Sequence, residues 1–217
     1  MMARMKRLAG SLLVVVAVSA CGGGAVQQAP PVVQPGAPGQ AGRVLTRDEA
    51  AAMPQPGITK ADVAFMQGMI GHHAQAVEMT TLLKTRTKSD AMRRLAERIE
   101  VSQSDEIRLM EQWLRDHGQP LPDPHAHHNG AALMPGMLSA EDMAQLAAAS
   151  GPAFDRLFLT FMIKHHQGAL VMVKELRASP GAGQESEINR FASDVDADQR
   201  MEIDRMAAML VAMKEKQ

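Results

Sequence analysis

Two of the histidine pairs in this chain sit inside the same apolar frame: Met69-Ile70-Gly71-His72-His73 and Met162-Ile163-Lys164-His165-His166. Imidazole is an intermediate ligand and thioether a soft one. Histidine among methionine therefore suits Cu(I), Ag(I) or Cu(II) better than Mg(II) or Ca(II). The 93-residue shift that carries residue 69 onto 162 also carries Asp62, Phe65, Ala76 and Met79 onto Asp155, Phe158, Ala169 and Met172. A third cluster, His125-Ala126-His127-His128, stands near Met134-Pro135-Gly136-Met137. Eighteen methionines and a single cysteine, Cys21, make up the sulfur of the chain. Methionine fills irregular cores readily, so its abundance alone decides little.

Spacing decides more. Phe65, Met69, His72, Ala76, Met79 and Leu83 follow alternating steps of four and three and so share one helical stripe. Phe158, Met162, His165, Ala169, Met172 and Leu176 repeat it. The first histidine of each pair thus lies in an apolar seam, and the second about 100° further round the helix. Ile99, Gln103, Glu106, Met110 and Trp113 form a second kind of stripe, repeated at a shift of 96 by Val195, Gln199, Glu202, Met206 and Met209. A glutamate in such a seam needs a partner, because an unpaired buried carboxylate is costly. His72 or His73 is expected to face Glu106, and His165 or His166 to face Glu202.

Other chemistries lack their parts. A di-iron carboxylate bundle needs Glu-x-x-His on two helices, and a zinc protease needs His-Glu-x-x-His; neither pattern occurs. No Gly-x-Ser-x-Gly is present, and the one cysteine falls at the end of an export signal. The candidate metal ligands are His72, His73, His165 and His166, with Met69, Met79, Met162 and Met172 as soft partners. Glu106 and Glu202 would orient imidazoles or ligate directly. His125, His127, His128, Met134 and Met137 form a candidate capture loop. No catalytic residue is assigned.

The elements that must hold these residues are helices. Thr46 and Ser139 are placed as N-caps with acids three residues on, as in a capping box. Long helices are expected from about Thr59 to Arg86, over roughly 89–117, from Pro152 to just before Ser179, and over roughly 184–215. No segment shows the alternation of a strand. The expected fold is all-α: a four-helix bundle of two repeated hairpins, each preceded by a short helix. Repeat one spans 45–117 and repeat two 138–217, with the His/Met loop at 118–138.

The chain begins with Arg4, Lys6 and Arg7, then an apolar run too short to span a bilayer, then Val18-Ser19-Ala20-Cys21. Residues 1–20 read as a signal resembling that of bacterial lipoproteins, with Cys21 as the lipidated first residue. That places the protein in the cell envelope, anchored to a membrane through Cys21. Gly22 rather than aspartate after the cysteine directs the expectation to the periplasmic face of the outer membrane in a Gram-negative host. Residues 21–44, rich in Gly, Pro and Gln, read as a flexible tether. The near-neutral chain, with 23 basic and 24 acidic residues, carries no basic patch and is not expected to bind nucleic acid.

Two separated blocks carry a family resemblance. Phe65 to Met79 with Gln103-Ser104-Asp105-Glu106-Ile107, and again Phe158 to Met172 with Gln199-Arg200-Met201-Glu202-Ile203, resemble the domain-of-unknown-function-305 family, as does the Met134-Pro135-Gly136-Met137 loop. The resemblance spans about 45–217. It implies a ferritin-like four-helix bundle and, because the family includes exported CopM-like copper-binding proteins, copper or silver binding for tolerance, storage or handover. The rival expectation is a structural or interaction bundle whose His–Glu pairs only fix packing; a metal-dependent redox enzyme is a weaker third.

Overall fold

The computed structural model describes residues 31–34, 39, 41–54, 56–123 and 133–215, so Cys21, His125, His127 and His128 lie outside the described residues. The chain divides into a small unit up to Met53 and a larger one from Pro54.

In the small unit, β1 (Val32–Gln34) pairs antiparallel with β2 (Arg43–Leu45), Val33 standing opposite Val44. This ladder falls where the sequence suggested a tether and no strand. Its cause is local: β-branched Val32, Val33 and Val44 favour extended backbone, and Gly39 between them adopts φ +85°, which a side chain would resist. The short helix α1 (Arg47–Ala51) follows, capped reciprocally by Thr46 and Glu49.

Among the described residues, the larger unit holds five helices: α2 (Lys60–Arg86), α3 (Asp90–Asp116), α4 (Ala140–Ala148), α5 (Gly151–Ala178) and α6 (Ser186–Lys214). Their starts follow the expected chemistry. Thr59 and Asp62 close a capping box on α2, Ser139 and Asp142 close another on α4, and Ser89 caps α3. Pro152 sits in the first turn of α5, where its missing N–H costs nothing. Asp62 does more than cap: its second oxygen accepts from the Gly183 amide at 2.7 Å, tying the α5–α6 turn to the start of α2.

Two apolar clusters fill this bundle. One joins Phe65, Met69 and Ile70 of α2 to Met110 and Trp113 of α3, Met172 and Leu176 of α5, and Phe191 and Val195 of α6. The other joins Met79 and Leu83 to Leu95 and Ile99, Phe158 and Met162, and Met206. Early α2 thus meets late α3, late α5 and early α6, and the second cluster reverses every one of these. Neighbouring helices are antiparallel. His72, His73, His165 and His166 fall between the clusters, at the waist.

Candidate metal centre

All four helix histidines are buried, each with at most 1% of its surface exposed. The second histidine of each pair meets the glutamate of the partner helix: His73 Nε2 lies 2.6 Å from Glu106 Oε2, and His166 Nε2 2.5 Å from Glu202 Oε2. The first histidines meet each other, the rings of His72 and His165 lying 3.8 Å apart between centroids at 37°. Within each pair the rings are 6.3 Å apart. The outcome is a row, Glu106–His73–His72–His165–His166–Glu202, running across the waist. Its carboxylate ends retain slight exposure, with side chains 12% and 11% accessible.

A short strap closes the α2/α5 side. Residues 133–138 lie over both helices, and the Pro135 carbonyl accepts from His72 Nε2 at 3.0 Å. Gln75 pins the far end: its amide donates to the Leu138 carbonyl at 2.9 Å and accepts from the Leu138 amide at 2.8 Å. Close approach depends on glycine, since a Cβ on Gly168 would stand 1.9 Å from the Pro135 oxygen. The repeats differ here by design of sequence: Gly168 occupies the position equivalent to Gln75, so one repeat grips the strap and the other makes room for it.

Hydrogen bonding leaves a distinctive set of atoms unused. His72, His73 and His166 each commit Nε2 to a carbonyl or carboxylate; among the described residues their buried Nδ1 atoms have no partner, and both nitrogens of His165 lack a well-placed one. Metal-ligating histidines show this arrangement, with one ring N–H held by an oxygen and the other nitrogen free. Burial, reinforced by the neighbouring His73, lowers the His72 pKa to about 3, and burial with His72 close by holds His165 well below the ordinary value. Both rings are consequently neutral around pH 7, which lone-pair donation requires. The donor set therefore fits a borderline-to-soft ion. Among the described residues, however, no three His, Cys, Asp or Glu side chains converge on one point. The arrangement suits two-coordinate Cu(I) or Ag(I), or a closer set gathered by ring rotation, better than a preformed octahedral cage.

The methionines divide between places. Met69 and Met172 belong to one apolar cluster and Met79 and Met162 to the other. Met137 is buried at 4%, whereas Met134 is half-buried and turns its sulfur towards Gly68. Three polar groups at the waist had no assigned role in the sequence. Gln103 and Gln199 are buried with amide atoms that have no partner among the described residues. Asp198, one turn before Glu202, has its carboxyl raised by burial and by the charges of Glu106 and Glu202. Repeat one carries Ser102 at the position equivalent to Asp198, so comparison of the repeats marks the site without explaining it.

A helical bundle that buries paired histidines and their carboxylate partners across its waist defines a class of His/Met-bearing four-helix bundles. The chain belongs to the DUF305 family, a domain of unknown function, which matches residues 62–210. Among solved structures it is similar to a DUF305 fragment from Deinococcus radiodurans (33% identity, 72% of this chain and 99% of that one, TM-score 0.63). A DUF305 protein from Streptomyces coelicolor, inferred to be secreted, is 29% identical over 71% of this chain and 94% of its own, with a TM-score of 0.60. CopM in its Cu(II)-bound form is 27% identical over 70% of this chain and 96% of its own, at a TM-score of 0.59; CopM has also been solved with Cu(I) and with silver. No curated protein sequence matches the chain.

Proposed function

We propose that this protein is a non-catalytic, envelope-located binder of soft metal ions, copper above all with silver as an alternative cargo, serving tolerance, storage or handover. One observation carries the reading: His72, His73 and His166 are each held through Nε2 by an oxygen, while their buried Nδ1 atoms have no partner among the described residues. An unsatisfied buried polar atom costs roughly 1–3 kcal/mol, and repetition of that cost in both halves of the bundle is accounted for if an ion uses those atoms. Similarity to CopM, solved with Cu(I), Cu(II) and silver, supports the same cargo. His72 and His165 would contribute the central donors, with His73 and His166 beside them. Glu106 and Glu202 would hold the flanking rings and offset the charge of the ion.

The competing reading, a bundle whose His–Glu pairs only specify packing, draws on the absence of three converging donors among the described residues. His72→Ala/His165→Ala separates the two. Under metal binding, competition titration shows Cu(I) lost from the waist while the fold survives. Unaltered copper stoichiometry together with a large drop in melting temperature would favour packing alone. Location is proposed from the first 21 residues, with Cys21 acylated and the bundle facing the periplasm from the outer membrane of a Gram-negative host. Cys21→Ser should move the protein from the membrane to the soluble envelope fraction, and unchanged membrane association would refute the anchor.

A further inference from the structure

We infer that Met134 of the strap and Met172 of α5 form an outer soft-metal site, separate from the histidine waist and open to solvent. Their ends meet over one spot on α2: a Cβ built on Gly68 would stand 3.2 Å from Met134 Sδ and 3.4 Å from Met172 Cε. Both line a surface cavity of about 300 Å³ whose rim carries Glu175. Thioethers select Cu(I) and Ag(I), for which two donors suffice, and the neighbouring carboxylate offsets the charge. A thioether used only as filler has no need of an open cavity beside it. The absence of a side chain at Gly68 leaves the Met134 sulfur and the terminal methyl of Met172 over one spot, where rotation of the Met172 side chain brings its sulfur round. Sequence spacing could not pair these residues, because they lie on different elements and Met134 looked like a partner of Met137. Met137 instead turns inward and is buried.

The inference rests on the soft-metal reading but not on the waist, and silver binding tells the two apart. In a His72→Ala/His165→Ala background, adding Met134→Leu/Met172→Leu should lower the Ag(I) stoichiometry by one per chain; leucine keeps apolar volume and removes sulfur. In the otherwise unaltered protein with carbon-13-labelled methionine methyls, Ag(I) should shift the Met134 and Met172 resonances together. A stoichiometry unchanged by the leucine pair, or methyl resonances that do not move, would overturn the outer site even if the waist binds. Loss of silver with the leucine pair but not with the histidine pair would leave the outer site standing and remove the waist. The methyl measurement needs no variant, so it decides the matter even if a substituted protein fails to fold.

Discussion

Glu106 and Glu202 hold only the second histidine of each pair, and that division of labour sets their roles. A carboxylate accepting from Nε2–H fixes the ring and raises the donor strength of Nδ1. Glu106→Gln/Glu202→Gln keeps size and an acceptor but removes the negative charge. Metal affinity should fall about 10–100-fold, with thermal stability changed little because a hydrogen bond remains available to each ring. Competition titration beside a melting curve checks this, and unchanged affinity would assign the glutamates to packing. The sequence stripes identified the glutamates and both candidate histidines, but could not choose between adjacent ring positions. That choice depends on how α3 rotates against α2, which no single helix encodes.

The helices were legible because an apolar period runs along the long ones and capping residues mark the starts of α1, α2, α3 and α4; the strap was not. Its contacts join residues 63 apart, Pro135 to His72 and Leu138 to Gln75, and no local pattern announces them. The tiny β1–β2 ladder was missed for another reason, since three-residue strands are too short to show alternation. Strap seating can be tested with two glycines that differ in surroundings. Gly168→Ala drives a Cβ into the Pro135 carbonyl and to 2.7 Å from Gly136 Cα, both backbone atoms that cannot step aside. Overpacking of this kind costs about 1–3 kcal/mol, more than the roughly 1 kcal/mol that replacing a helical glycine returns. Urea unfolding should therefore show net destabilisation. Gly71→Ala meets only the Met134 methyl at 3.5 Å, an ordinary contact, and should be neutral or stabilising. Equal effects at the two positions would contradict the strap's close seat on α5.

At the scale of the whole bundle, antiparallel packing brings four imidazoles to one level between two apolar clusters, and that placement links metal readiness to acid sensitivity. His72 and His165 titrate far below an ordinary histidine because burial disfavours their charged forms, with nearby His73 and His166 adding to it. In the unfolded chain the same rings protonate near pH 6.5. As pH falls below 6.5, the unfolded state binds protons that the folded state refuses, so stability is lost; for His72 the loss continues towards pH 3. Each ring contributes a slope of about 1.4 kcal/mol per pH unit once its unfolded form is protonated. Asp198 acts in the opposite sense, since its raised carboxyl binds a proton earlier in the folded state, but it does so nearer the carboxylate range. Between about pH 6.5 and 5 most carboxylates remain ionised, and His72 and His165 dominate. Metal-free protein should thus show a urea midpoint that declines steeply across this interval. His72→Ala/His165→Ala should flatten the decline, despite a lower midpoint at pH 7.5. A decline as steep in the double variant as in the parent would mean that other groups carry the acid sensitivity and that the paired rings are not held neutral at the waist.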